Sequence, residues 1–269
     1  MRPCTINRLT IGGDAPVRVM GVINASPESF YRSSYVPVVH VYEITVAMLE
    51  GGADLIDVGA RATGPGAPPL DIATERERLV AVLQEIQGVA TVSVDTMHPE
   101  VLETALKYEI HAVNDIAGLS NPAMGRLVAE AGLPAIVMAA ERRPGDAGSV
   151  PEVLRVLGAV VARCGEAGVR QFILDPGIGL WTPERTVEDN WDLCRHFRDF
   201  LRFDRPILAA ISRKSFIGTL VGRSPEGRMA ASLALTLLLI QYGASMVRTH
   251  DVQETVDALR VVELMEGGQ

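Results

Sequence analysis

Short runs of β-branched and aliphatic residues alternate with longer amphipathic stretches from one end of the chain to the other. A run of a few apolar residues closed by Gly, Asn or Asp reads as a buried strand, and a longer stretch with apolar positions three and four apart reads as a helix. The pattern predicts strands over Val17–Asn24, Leu55–Gly59, Thr91–Asp95, Ala112–Asn114, Ala135–Met138, Gln171–Asp175, Ile207–Ile211 and Ser245–Arg248. Helical stretches follow each, among them Val38–Glu50, Ile72–Gln87, Val150–Ala167, Arg185–Leu201, Met229–Tyr242 and Val252–Glu266. Every gap holds the dozen or more residues that a crossover between parallel strands needs. Eight such units predict an α/β fold, a single (β/α)8 TIM barrel over residues 1–269. An open doubly wound sheet is the alternative, but no GxGxxG follows the first strand.

Composition narrows the class. With 48% hydrophobic residues the chain is expected to fold, and its 25 Lys and Arg against 33 Asp and Glu give a net charge of -8. An acidic surface argues against nucleic-acid and anionic-membrane partners. The longest apolar stretch, near Met229–Ile240, is shorter than the roughly 20 residues of a membrane span. Cys4, Cys164 and Cys194 are odd in number and form no CxxC, and the N-terminus shows no apolar leader segment. The expectation is a cytoplasmic protein acting on small molecules.

The candidate chemistry lies where the strands end. Asn24, Asp57, Asp95, Asn114, Asp115 and Asp175 all fall at or near those ends, which a barrel gathers into one cup. A single Asp after a strand is more often a helix cap or a turn. Several carboxylates together need cations or donors beside them, and Arg213, Lys214, Arg248 and His250 come from the last two units. Arg213 and Lys214, in SRKSFIG, are expected in the first turn of a helix, where positive charge calls for an anion or a carboxylate neighbour. Arg248 and His250 are two apart, so on a strand they share a face, as a pair of donors for phosphate would.

Seven segments in order resemble the dihydropteroate synthase family: MGVINASPESF, GADLIDVG, VSVDT, VNDIAG, ILDPGIG, SRKSFIG and VRTHDV. SRKSFIG is the most specific, because it separates synthases from pterin-dependent methyltransferase modules of similar fold. The resemblance implies condensation of 6-hydroxymethyl-7,8-dihydropterin pyrophosphate with p-aminobenzoate or a related aminobenzene. It implies that Asp95, Asp175 and Lys214 are catalytic and that, with Asn114 and Arg213, they hold the pterin. Ser212, Arg213 and Thr63 would meet the aminobenzoate. Asn24, Thr63, Arg248 and His250 would meet the pyrophosphate, with Mg2+ on Asn24. A homodimer through the last helices is implied as well.

The chain departs from the family pattern in its loops. GARATGPG stands where GGESTRPG is usual, so Arg61 replaces an acid and Gly64 an arginine that helps bind pyrophosphate. Arg61 could supply the missing charge. Glu28 replaces an Asp, and Leu180 and Trp181 replace a Phe-Gly pair. Trp181 could stack on an arene or simply pack. The departures leave room for a pterin-binding paralogue without turnover.

Overall fold

A computed structural model describes residues 1–28, 35–63, 68–265 and 267. Two short strands, β1 (Cys4–Ile6) and β2 (Leu9–Ile11), form an antiparallel hairpin that the sequence pattern did not predict. Eight parallel strands follow: β3 (Arg18–Asn24), β4 (Leu55–Gly59), β5 (Val92–Asp95), β6 (Ala112–Asp115), β7 (Ala135–Met138), β8 (Phe172–Asp175), β9 (Leu208–Ala209) and β10 (Met246–Thr249). Their order in the sheet is β8-β7-β6-β5-β4-β3-β10-β9. The ring closes between the two outer strands, where Leu174 pairs with Ile207 and its N–H donates to the Pro206 carbonyl at 2.9 Å. This is the expected barrel.

Helices α1 (Val38–Glu50), α2 (Ile72–Ile86), α3 (Pro99–Ala105), α4 (Pro122–Glu130) and α5 (Val150–Ala167) each follow a strand, and neighbours pack side by side around the outside. α6 (Val187–Arg195), α7 (Ser215–Val221) and α9 (Val252–Met265) likewise follow strands, and α8 (Met229–Gln241) follows α7 and leads into β10. The helix expected to run to Leu201 stops at Arg195, and a 3-10 segment takes over from Phe197 to Phe203. Phe197 and Phe200, three apart, are both fully buried, and a 3-10 turn stacks such positions on one face. Gly21, on β3, faces outward; a Cβ there would lie 2.9 Å from Met48 of α1 and 3.2 Å from Val252 of α9.

Alternation along the strands positions the site. Met20, Leu55, Ala112, Ile136, Ile173, Leu208 and Met246 form an apolar layer with Cys4, Ile6 and Ile11 of the hairpin. Those seven sit near the strands' starts, so the hairpin plugs the bottom of the barrel. Two residues further on, the same alternation brings Asp57, Asn114, Asp175 and Arg248. The interior thus passes from apolar to charged in one step, and the charged layer is at the carboxyl ends where barrel enzymes place their chemistry.

The plug is remote from that layer, so its loss should affect stability and not chemistry. Ile6→Ala is expected to cost about 2–4 kcal/mol, read as a lower urea midpoint, with turnover per folded molecule unchanged.

Candidate active site

Arg248 organises the charged layer. Its Nε donates to Asp57 Oδ2 at 2.7 Å and its Nη2 to Asp95 Oδ2 at 3.0 Å. Asn114 Nδ2 donates to the same Asp57 oxygen at 3.0 Å. Asp57 is fully buried, and among the described residues its second oxygen has no hydrogen-bond partner. Burial raises the Asp95 pKa well above the usual carboxylate range; the neighbouring charge of Asp57 adds to this and Arg248 opposes it.

A second charged group forms where β8 and β9 end. Asp175 Oδ1 accepts from Gly177 N at 2.7 Å, the tight turn that the LDPGIG glycines allow. Lys214 reaches over this turn, donating from Nζ to the Ile178 carbonyl at 2.7 Å and lying 4.7 Å from the Trp181 ring centre. Burial raises Asp175 and Lys214 opposes it; burial lowers Lys214 to about 8 and Asp175 opposes that. Each is the other's main counter-charge.

Arg213 is placed differently from its expected role. Residues 213 and 214 precede α7 instead of opening it: Lys214 is the N-cap residue, and Arg213 has a positive φ of 55°. The Arg213 guanidinium is buried against Asp251, with Nε 2.9 Å from Oδ2, and donates to the carbonyls of Pro225 and Glu226. A buried guanidinium draws a carboxylate to it, and Asp251 is the carboxylate it has. Arg213 is therefore not part of the cavity wall and ties β9 and β10's loops together instead.

The cavity over these groups has a volume of about 380 Å³. Asn24, Thr63, Asp95, Ser212, Lys214, Arg248 and His250, all named from sequence, line it. Asn114 and Asp175 are buried just behind that wall, Asn114 linked to it by bonds through Asp57 to Arg248 and Asp175 by the charge of Lys214. His250 Nδ1 lies 3.0 Å from Ser212 Oγ. Burial lowers the His250 pKa to about 3, and the charges of Arg248, Arg213 and Lys214 push the same way, so the imidazole is neutral.

Four contributors were not assigned from sequence. Asp57 was noted only as one of several strand-end acids; its signal is an acid in the middle of a buried strand, LIDVG. Trp181 packs on Gly145, donates from Nε1 to the Gly177 carbonyl at 2.8 Å and lines the cavity. Ser215 lines the cavity beside Lys214. Arg61 reaches the wall, but its Nε is committed to Glu75 Oε2 at 2.6 Å, and its Nη2 to the Leu70 carbonyl. Gly64 and residues 29–34 lie outside the described residues.

For Mg2+, Asn24 offers a neutral amide oxygen at the cavity rim, which also accepts from Ser26 N at 3.0 Å. Among the described residues no group of three or more His, Cys, Asp or Glu side chains could hold a metal. That donor set suits Mg2+ carried mainly by phosphate and water, with a single protein oxygen, and does not suit a protein-only cage.

A family described as pterin binding enzyme matches residues 20–250. The chain is 35% identical over 257 residues to the dihydropteroate synthase of Escherichia coli K12, covering 91% of this chain and 90% of that protein. It is similar in structure to the dihydropteroate synthase of Xanthomonas albilineans with 4-aminobenzoic acid, at a TM-score of 0.87 and 34% identity over 98% of both chains. The Coxiella burnetii dihydropteroate synthase in complex with pteroic acid gives a TM-score of 0.87 at 28% identity, over 99% of both.

The buried neutral His250 has a consequence for stability. Its pKa drops from the ordinary 6.5 to about 3 on folding, so below about 6.5 the unfolded chain takes up a proton that the folded chain refuses. Stability from this group is lost as pH falls through that window. Asp95, raised on folding, contributes the opposite trend in wild type and variant alike. His250→Gln is therefore expected to lose less Tm than wild type between about pH 7 and pH 5, measured by differential scanning fluorimetry.

Proposed function

The chain belongs to the pterin-binding enzyme family and is a transferase of the dihydropteroate synthase type, and on that premise we propose how its residues divide the work. The reaction joins 6-hydroxymethyl-7,8-dihydropterin pyrophosphate to p-aminobenzoate and releases pyrophosphate. The observation that carries the assignment is the pairing of two desolvated acids, Asp95 and Asp175, with the cations Arg248 and Lys214 around one cavity.

Asp95, Asn114 and Asp175 hold the pterin. Its amino-pyrimidine edge carries adjacent N–H donors, and a carboxylate accepts such donors in pairs. Lys214 donates to the ring's acceptor atoms. Ser212 and Thr63, both at the cavity wall, meet the aminobenzoate, and Trp181 supplies a flat apolar wall beside them. Arg213 acts from behind, by fixing the loops that carry Ser212 and Lys214.

Asn24, Thr63, Arg248 and His250 take the pyrophosphate end. His250, neutral, contributes a hydrogen bond and not a charge. Mg2+ held with Asn24 would offset the leaving group's charge. Arg248 has the central part: in this structure its guanidinium answers Asp57 and Asp95. Pterin N–H groups at Asp95 can replace one of those bonds while phosphate oxygens receive the guanidinium. The C–O bond then breaks, and the electron pair leaves with the pyrophosphate. The remaining pterin methylene carries positive charge, which the nearby carboxylates stabilise. The aniline nitrogen attacks that carbon and sheds a proton. No protein nucleophile takes part, so positioning supplies much of the rate.

A homodimer is part of the reading. Leu220, Leu238, Val261, Leu264 and Met265 are exposed on α7, α8 and α9, an apolar surface that a second copy would cover. The described residues contain no helix long and apolar enough to cross a membrane.

Purified protein given Mg2+ and both substrates should yield dihydropteroate by mass spectrometry. Asp95→Asn should lower kcat/KM by about 10²-fold or more, because it removes the charge without changing the size. Wild-type rates in that variant would remove Asp95 from the site. Light scattering at micromolar concentration should give twice the monomer mass of 28.9 kDa; a monomer there would remove the dimer.

A further inference from the structure

Helix α2 carries two charged residues one turn apart, and each grips the root of a different loop at the cavity. Arg78 forms two parallel bonds to Glu28, Nη1 to Oε2 and Nη2 to Oε1, both 2.9 Å. Glu28 Oε2 also accepts from Ser26 Oγ at 2.8 Å, and Ser26 N donates to Asn24 Oδ1 at 3.0 Å. A continuous chain of bonds thus runs from the outer helix to the side-chain oxygen of Asn24 in the cavity wall.

Glu75 makes the second connection. The buried stripe of α2 is Glu75, Leu79, Val82, Leu83 and Ile86, so an acid occupies the first position of an otherwise apolar face. Only 1% of it is exposed, and burial at that level is costly unless the charge is paired. Its pairing comes from Arg61 at 2.6 Å and from Thr96 Oγ1 at 2.6 Å. Arg61 is two residues before Thr63, and both line the cavity. A purely structural acid at this position could have been leucine. What the acid adds is a fixed location for the backbone that leads to Thr63.

We propose that Arg78 and Glu75 are positioning residues for the pyrophosphate end of the site, Arg78 acting through Glu28 and Ser26 on Asn24, and Glu75 acting through Arg61 on Thr63. The proposal rests on the reading that Asn24 and Thr63 meet the pyrophosphate. It also accounts for Arg61: the loop carries a cation where the family pattern has an acid, and the helix supplies the acid that pairs with it. Among the described residues Arg78 bonds to none of the pterin-holding residues Asp95, Asn114 and Asp175, whereas Glu75 bonds to Thr96, beside Asp95, and its charge acts on Asp95, so Arg78 is the variant that leaves pterin recognition alone.

Calorimetry with Mg2+ present separates the two ends of the substrate. Wild type, Arg78→Gln, Arg78→Lys and Glu75→Gln are titrated with 6-hydroxymethyl-dihydropterin and, separately, with its pyrophosphate ester. Wild type should bind the ester more tightly than the alcohol. Arg78→Gln and Glu75→Gln should each lose about 10-fold of that advantage, the scale of outer partners at ligand sites, and in Arg78→Gln the alcohol's affinity should be unchanged. Arg78→Lys keeps the charge but not the paired bonds, so it should lose less. The Glu28–Arg78 pair is partly exposed and adds little to folding, so Arg78→Gln remains a fair test even if Glu75→Gln does not fold. If Arg78→Gln keeps the full advantage, or weakens alcohol and ester equally, the proposal fails. If wild type itself shows no advantage for the ester, the pyrophosphate assignment of Asn24 and Thr63 fails first and takes this one with it.

Discussion

The active centre depends on one cation shared between two acids. Asp57 and Asp95 project inward from the adjacent strands β4 and β5; Asp57 is fully buried and Asp95 is mostly buried where it meets the cavity. Two such carboxylates without a counter-charge would repel each other and shed their ionised forms. Arg248 resolves this from β10, two strands away from β4 in the sheet, by donating to both. It can do so only where β10 is held between β3 and β9 in the closed ring. Barrel closure and site charge are thus one constraint: the fold places the cation, and the cation permits the acids.

Once Arg248 is fixed, the surrounding chemistry follows from proximity. Asn114 has an oriented acceptor in Asp57. His250, on the same strand's continuation, is kept neutral by burial and by that same cation. Lys214 and Asp175 repeat the arrangement on the other side with a single pair, each offsetting the other's burial. The apolar layer below, sealed by the β1–β2 hairpin, supplies the low-dielectric floor that makes each of these pairings matter.

The strands were legible because their code is local. A buried strand ending in Asp or Asn can be read from six residues, and the period of two then says which side chains share the cup. Asp95, Asn114, Asp175, Lys214 and Arg248 were all found this way or through the family resemblance. What could not be read were partnerships between residues far apart in the chain. Arg213 looks like a ligand-binding arginine until Asp251, 38 residues on, is seen to hold it. Arg61 looks free to replace a missing arginine until Glu75 is seen beneath it. The hairpin escaped because each of its strands is only three residues long, below what alternation can signal. The end of α6 was misjudged because tertiary burial of Phe197 and Phe200 overrode a run of acceptable helix formers.

The site therefore has two kinds of foundation. Of the groups assigned to the pterin, Asp95, Asn114 and Asp175 sit on strands, where the backbone ladder fixes them to the barrel, and Lys214 is at the N-cap of α7. Among the groups assigned to pyrophosphate and aminobenzoate, Arg248 is on β10 and bonds to Asp57 and Asp95, whereas Asn24 and Thr63 sit at a strand end and a loop root that side-chain bonds tie to α2. The sequence departs from its family in the second set: Glu28, Arg61 and Trp181 are all loop residues, and all three have firm partners, in Arg78, Glu75 and Gly177. A loop can change its residues without loss of order when each new side chain finds a new anchor. A strand residue facing the cup has no such latitude, because its neighbours are the same few charges. On that physical ground the substitutions in the loops and the strand-end acids belong to a single design, in which the charged cup of Asp57, Asp95, Asn114, Asp175 and Arg248 is held by the strands and the loop groups by attachments to the outer layer.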